Sequence, residues 1–477
     1  MTLQYSAVGI QNESHMATDI SDYWKDLERL QTSIGYAVWN CSLDLPVRLV
    51  AISEGGIGGW CLGGGDEHLR ICRDVVPEIP GKETEFLGEM CKQFNIYLIA
   101  QMVAKAPEIM EDRIFNIAFI IDPNGEVIHK HIKTSFYQRE TNTAPSDIWN
   151  LYLEKYGDDP ETLLNILYPV AKTDIGNIGT LICAEGSYPE AARGLALNGA
   201  EIIWRTQYPE PWMGNQMNEV QNRAHAVFNT CYVIAPNIGG IYMPGGEDFK
   251  MSNGRSQIID YRGGIMSEYL GGGEALVSGI INVDGLRDFR VRGQWQNLVK
   301  DMRVEEYKLI YDAMMAKGGI YPRNLCIEEP PLTEDGQLEL VKHQVNKMVA
   351  MGIYTAPPGW EPYEVSEEVR ERIKKANAIS GYSMDGYQIF FRLLNPITRT
   401  IARSPLHGLV SDNVVVLIFP GIKSGRLYSI PVSYLETSEK ELVCVTDRPY
   451  IWWRNLINNK NIRILLRGKL LNAKVEV

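Results

Sequence analysis

Cysteine is scarce: there are eight in 477 residues, and Cys41, Cys61, Cys72 and Cys91 show no C-x-x-C spacing. That excludes a disulfide-stapled scaffold and the usual zinc motifs, and fits reduced thiols in a cytoplasm. Long apolar runs are missing too; none reaches the ~18 residues of a membrane-spanning helix. The opening MTLQYSAVGIQNESH has no basic start followed by a long apolar core, so no secretory leader is expected. Histidine is thin at seven, and His129, His131 and His225 lack ligand spacing, so no metal site is expected. Positive charge is in deficit. The net of −12 argues against nonspecific nucleic-acid binding by the whole chain. No internal repeat or low-complexity tract is visible.

What is present looks globular, with 45% hydrophobic and 22% charged residues. The length implies two domains, with room for a third. Charge is uneven. Residues 385–477 carry thirteen Lys and Arg against seven Asp and Glu, a net of +6 that leaves −18 on the remainder. A basic module on an acidic body suggests an anionic ligand or docking onto that body; chance asymmetry of a solvated surface is an equal alternative.

Short β-branched runs alternate with helical stretches. LQYSAVGI (3–10), VRLVAIS (47–53) and NIYLIAQMV (95–103) read as buried strands, and ETEFLGEMCKQF (83–94) as a helix. IFNIAFIID and EVIHKHIK, joined by Pro123-Asn124-Gly125, read as a hairpin. IGTLIC, PEAARGLAL and AEIIWRT follow as strand, helix and strand; then QNRAHAVFNT, CYVIAPN and a hairpin in RSQIIDYRGGIMSEYL. Mixed βα units with hairpins imply a layered α/β domain over roughly residues 1–320. The stretch 325–382 is Pro- and acid-rich with a helix inside it, and reads as an extension and linker. Past about 385, NVVVLIF, LYSIPVSYL, ELVCVTD and RILLRGKLLNAKVEV make a small, mostly β module.

One segment, NIGTLICAEGSYPEAARGL (177–195), bears on chemistry. An apolar strand stops at Cys183, and Ser187 and Glu190 sit at capping-box spacing around Pro189. Asn198-Gly199 marks the helix stop. A cysteine at a strand end before a helix is more often an inert packing residue than a nucleophile. With an ordinary pKa near 8.5, only a few per cent of a thiol is ionised at neutral pH, so a nucleophile needs a base and an oxyanion site. Glu54 and Lys133, at two other strand ends, supply a base and a cation.

These three segments resemble the nitrilase, or carbon–nitrogen hydrolase, superfamily. Its glutamate follows an apolar strand, as in LVAISE. Its lysine closes a strand that begins at a Gly turn, as in NGEVIHKHIK, and its cysteine lies in a strand–elbow–helix segment, as in LICAEGSYPEAAR. The resemblance covers about residues 3–290. It implies Cys183 as nucleophile, Glu54 as general base, Lys133 as the cation for the tetrahedral intermediate, and the Ala184 N–H as oxyanion donor. A supporting second glutamate would be Glu140, with a solvated loop residue as the alternative. Lys130 is the rival of Lys133; the two point to opposite faces of a strand, and the glycine spacing favours Lys133. Trp60 and Tyr208 are further candidates for the substrate-binding wall, Trp60 with packing as its alternative.

The sequence departs from the family in four places. The glutamate motif has Ile52-Ser53 where Phe-Pro is frequent. The stretch after it, EGGIGGWCLGGGDE, is Gly-rich and reads as a flexible wall. A helical insertion, SDIWNLYLEKYGDDPETLLNILYP, separates Lys133 from Cys183. Ala184 stands where nitrile-hydrolysing members carry tryptophan, which favours a carboxamide over a nitrile, the runner-up; acyl transfer to an acceptor other than water is a third reading. The resemblance implies an α/β, four-layer αββα sandwich of the nitrilase type, and a homo-oligomer, dimer or higher.

From about Met384, RTIARSPLHGL, VVLIFPGIKSGRLYSIPVSYL and YIWWRNLINNKNIRILLRGK resemble the deazaflavin-dependent nitroreductase family, a split β-barrel. That implies Lys423, Ser424 and Arg426 as holders of a flavin or deazaflavin phosphate. Family members continue past the point corresponding to Val477, so the module reads as incomplete, and the competing expectation is a structural or docking domain. The amphipathic stretch 387–403, with Arg392, Arg399 and Arg403, reads as a cover for the barrel rather than a membrane contact. The expected layout is a carbon–nitrogen hydrolase domain over 1–324 that needs no cofactor, an extension and linker over 325–383, and a split-barrel module over 384–477. The expected function is a cytoplasmic amidase releasing ammonia from a small carboxamide through a Glu-Lys-Cys triad and a thioester.

Overall fold

The computed structural model describes residues 3–60, 63–207, 216–244, 248–252, 254–293, 295–379, 414–420, 427–438, 441–444, 456 and 461–476. The chain forms two compact units, Met1–Ser380 and Gly381–Val477.

The first unit opens with β1 (Gln4–Gln11), β2 (Glu13–His15), α1 (Ile20–Cys41), β3 (Val47–Ile52), α2 (Asp66–Asp74) and α3 (Lys82–Phe94). Three strands follow: β4 (Tyr97–Ala106), β5 (Met110–Ile121) and β6 (Val127–Ile132). The insertion forms α4 (Trp149–Tyr156) and α5 (Pro160–Leu167), split at Gly157, whose φ is +81°. Then come β7 (Val170–Thr173), β8 (Gly176–Ile182), α6 (Pro189–Leu197), β9 (Ile202–Thr206), α7 (Met217–Asn229) and β10 (Tyr232–Ala235). Strands β11 (Gly240–Tyr242), β12 (Phe249–Met251), β13 (Ser256–Ile259), β14 (Ile265–Tyr269) and β15 (Ala275–Asn282) complete the sheets. The unit ends with α8 (Val283–Val291), α9 (Val304–Ala316), α10 (Glu334–Ala350) and α11 (Glu367–Ile379).

Two six-stranded sheets carry the unit. One has the order β15-β1-β3-β4-β5-β6, the other β14-β13-β10-β9-β8-β7, and a small third sheet has the order β12-β11-β2. The central strands β1, β3 and β4 run parallel, as do β8, β9 and β10. Such strands are covered on both faces and read as unbroken apolar runs, as VRLVAI does. The period of two then sorts the side chains. In β3, Leu49 and Ala51 face the second sheet, where they meet Ile178, Ile182, Ile202 and Trp204. Val50 and Ile52 face the opposite way, toward Tyr23, Leu27, Leu30 and Ile34 of α1 and Leu87 and Met90 of α3. The spacing of those α1 residues makes the one apolar stripe that a helix buries. On the outside of the second sheet, Leu181, Ile203 and Val233 pack on Ala191, Ala192 and Leu195 of α6 and Ala226 of α7. These contacts make the expected four-layer αββα sandwich.

The Ser187–Glu190 capping box expected for α6 does not form. The N-cap is Tyr188, without a side-chain cap, while Pro189 takes the first turn as expected. Ser187 instead accepts from Gln221 at 3.4 Å, and Glu190 accepts from the Tyr311 hydroxyl. The short turn after Cys183 moves the helix start one residue on, so the box is out of register.

The stretch read as extension and linker is, over its described part, an extension packed into this unit. Leu325, Cys326, Leu332, Leu340, Val369 and Ile373 join the same core as α1 and α3. The buried Arg113 donates to the Cys326 carbonyl at 3.1 and 3.0 Å, and the Gly65 N–H donates to the Pro331 carbonyl at 2.9 Å. Among the described residues no helix is long and apolar enough to cross a membrane.

The second unit is an antiparallel sheet of β16 (Val414–Pro420), β17 (Leu427–Ser438), β18 (Glu441–Cys444), β19 (Asn461–Leu466) and β20 (Lys469–Lys474), in the order β18-β17-β16-β19-β20. Val415, Leu417, Phe419, Tyr434, Leu456, Ile462 and Ile464 form its own core. Lys423, Ser424, Arg426 and the stretch 387–403 lie outside the described residues.

Candidate active site

Three strand ends converge between the two sheets. The lysine comes from the end of β6, where alternation decides which lysine enters. His129, His131 and Lys133 share one parity and point between the sheets: His129 reaches Thr180 of β8 at 3.0 Å, and Lys133 is fully buried. Lys130 has the other parity. It lies at the surface beside Glu108 at 2.5 Å.

The Lys133 ammonium donates to Glu54 Oε1 at 2.9 Å and to Glu140 Oε2 at 2.7 Å, and both carboxylates are buried. Asn116 Nδ2, from the middle of β5, donates at 3.1 Å to each of the two glutamates. Asn142 adds a third donor to Glu140 at 3.1 Å. The backbone N–H of Glu54 donates to Thr206 Oγ1 at the end of β9, and that of Gly55 to Gln101 Oε1 at 2.8 Å. Glu54 therefore starts a turn pinned from both sheets. Burial works against the Lys133 charge, but Glu140, Glu54 and Cys183 outweigh it and hold the ammonium well above its ordinary pKa. Burial pushes the Glu140 carboxyl up, with Lys133 opposing and Glu54 adding to the rise. The Phe136 ring sits 5.9 Å from the Lys133 ammonium.

Cys183 directly follows β8 and lies in the left-handed region, with φ +49°. A side chain there is strained, and such strain persists only where the surroundings impose it. Cys183 is half-buried, whereas Cys72, Cys91, Cys231 and Cys326 are buried. Ala184 follows in the tight turn Cys183–Ser187. The turn is gripped from behind. His225 Nε2 lies 2.7 Å from the Gly186 carbonyl, and burial lowers the His225 pKa to about 4, so a neutral imidazole donates there. The guanidinium of Arg205 packs directly on Gly186.

Glu185, two residues past the cysteine, is fully buried and accepts from Ile182 N, Thr134 N, Thr134 Oγ1 and His131 Nε2. Burial would raise its pKa, but His131 and these donors bring it below the ordinary value. Trp60 is half-buried and stacks on Tyr137, with ring centroids 6.3 Å apart and planes at 18°. The pair joins the loop after Glu54 to the loop between Lys133 and Glu140. Tyr208 lies outside the described residues. Among the described residues no cluster of three His, Cys, Asp or Glu could hold a metal ion.

Glu54, Lys133, Glu140 and Cys183 are thus brought together, with Ala184 beside the thiol. Sequence reasoning missed Asn116, Asn142, Thr206, His131 and Glu185. Asn116 left a readable sign, a lone amide inside the apolar run IFNIAFII, and Asn142 sits two residues past Glu140 in the same loop; Thr206, His131 and Glu185 become visible only when two sheets face each other.

A sequence model of the family described as carbon-nitrogen hydrolase matches residues 7–290. Formamidase from Bacillus cereus (strain B4264) is 32% identical over 168 residues, which are 34% of this chain and 43% of that protein, less than half its length. Formamidase from Bacillus anthracis (strain CDC 684 / NRRL 3495) is 31% identical with the same coverage. Among solved structures, a carbon-nitrogen hydrolase from Helicobacter pylori G27 is similar with TM-score 0.49 and 18% identity, over 65% of this chain and 98% of that one. An amidase from Nesterenkonia sp. is similar with TM-score 0.46 and 17% identity, over 64% and 95%.

Proposed function

The chain belongs to the carbon–nitrogen hydrolase family, and from that premise we propose that it is an amidase that hydrolyses a small carboxamide through a thioester on Cys183. Glu54 takes the proton from the Cys183 thiol, and the thiolate attacks the amide carbonyl carbon. The Lys133 ammonium and the Ala184 N–H stabilise the negative charge that builds on the carbonyl oxygen. The carbon–nitrogen bond breaks, and the leaving nitrogen takes the proton from Glu54 and departs as ammonia. Glu54 then deprotonates a water, which attacks the thioester and releases the acid and the thiol. Glu140 does not touch the reacting atoms; it keeps Lys133 charged and aimed.

The observation that carries this reading is the buried ammonium of Lys133, 2.9 Å from Glu54 and 2.7 Å from Glu140. Burying three ionisable groups costs several kcal/mol per ion and is weak as a stability device. It makes sense as a preorganised field for a developing oxyanion. Ala184 after the nucleophile, and the formamidases among the relatives, favour an amide over a nitrile.

The test is ammonia release over a panel of small carboxamides, formamide first, and the matching nitriles. Release from at least one carboxamide is expected, and Cys183→Ala is expected to abolish it. Turnover retained in that variant would sink the assignment.

For the second unit we propose a structural or docking role. The full chain mixed with a flavin or deazaflavin is expected to show no shift in its visible spectrum. A shift would instead support cofactor binding at Lys423, Ser424 and Arg426.

A further inference from the structure

We infer that Glu185 is a positioning residue that sets the Lys133 cation against the Cys183 thiol; this rests on the reading of Cys183 as the nucleophile. The two groups belong to different sheets, at the ends of β6 and β8. One carboxylate joins those ends. Its Oε2 accepts from the Ile182 N–H at 2.7 Å, the residue before the nucleophile. Its Oε1 accepts from the Thr134 N–H at 2.8 Å and the Thr134 hydroxyl at 2.6 Å, the residue after the lysine. His131, the residue on the same face of β6 just before Lys133, donates from Nε2 at 2.9 Å to Oε2 and lies 3.1 Å from Oε1. The neighbours on either side of Lys133 and the neighbour before Cys183 are therefore tied to one rigid fork. Both partners of the His131–Glu185 pair are fully buried, so water cannot replace a lost bond.

Every group around the fork donates, which makes Glu185→Gln a sharp test. The variant is isosteric, but its NH2 must replace one oxygen. It then faces the Ile182 N–H or the Thr134 N–H, backbone donors that cannot reverse. A displacement near 1 Å at a reacting group is enough for about a 100-fold loss of rate. Glu185→Gln is expected to lower kcat for carboxamide hydrolysis about 100-fold, with KM within about threefold of wild type. The second readout is iodoacetamide alkylation of Cys183, followed on the peptide that carries it. A site that has only become looser exposes its thiol and is labelled faster. A thiol moved away from its base and cation is labelled more slowly, and slower labelling is expected.

Wild-type kcat per folded molecule, a change confined to KM, or faster labelling would each overturn the inference. If Glu185→Gln does not fold, Thr134→Ala decides, since it deletes one bond and keeps the backbone donor. About a fivefold fall in kcat is expected there, and wild-type kcat overturns the inference. Cys183→Ala separates the two levels. If it still releases ammonia, the nucleophile assignment fails; if it is inactive while Glu185→Gln behaves as wild type, only the positioning role fails.

Discussion

Lys130 and Lys133 stand three residues apart, and the pleat sends one to solvent and the other between the sheets. Lys133→Ala is therefore expected to remove activity nearly completely, on the order of 1,000-fold in kcat, while Lys130→Ala stays within about twofold, its surface pair with Glu108 contributing little. Steady-state ammonia release from both variants checks this, and the reverse ranking would move the cation to Lys130. Gly186→Ala probes the turn itself. A Cβ at this position would lie 2.1 Å from Nε of the buried Arg205. Arg205 is held by Asn218 and Gln221 and cannot swing away. The variant is expected to lose about 2–4 kcal/mol of stability, read from the denaturant midpoint. Strand alternation in the sequence separates Lys130 from Lys133 but does not say which enters; the choice of Lys133 rests on the glycine spacing of the family resemblance. The role of Glu185 is not legible, because its partners beyond Ile182, namely Thr134 and His131, lie 51 and 54 residues away in the sequence.

Among the elements, the strands read well because their runs are continuous and bounded by turns. The long helix α1 and the extension were harder. Whether 325–379 is a tether or part of the core depends on long-range partners such as Arg113. Arg113→Ala leaves the buried Cys326 carbonyl without its two donors and is expected to cost roughly 1–3 kcal/mol, measured by denaturant unfolding. A second device lies where the insertion meets the extension. Asp147 accepts from Ala144 N at 3.0 Å with the Tyr321 hydroxyl 3.5 Å away, and burial pushes its pKa up to about 7. The folded protein thus holds a proton that the unfolded chain releases near pH 4. The stability this gives is full below about pH 4 and is lost as pH rises through about 7. Asp147→Asn, which cannot ionise, should gain on the wild type over that window by up to about 1.4 kcal/mol per pH unit. Paired melting curves at several pH values measure the divergence, and parallel curves would show that the carboxyl is ionised when folded.

At the scale of the whole chain, the division at Ser380/Gly381 falls beside the change in charge and periodicity near residue 384. The order of strands within each sheet was not legible, because βα units fix neighbours only in part and hairpins can attach to either edge. Within the first unit, Glu54 and Lys133 hang from one sheet and Cys183 from the other, at the edge of the oily layer of Ile, Ala and Trp that fills the space between the sheets. On the amidase reading proposed above, turnover would work as a vernier on the alignment of the two sheets. Mild denaturant that lets the layers slide should silence ammonia release at a concentration where circular dichroism still reports full helix and strand. The catalytic apparatus would be the first reporter of a protein beginning to delaminate.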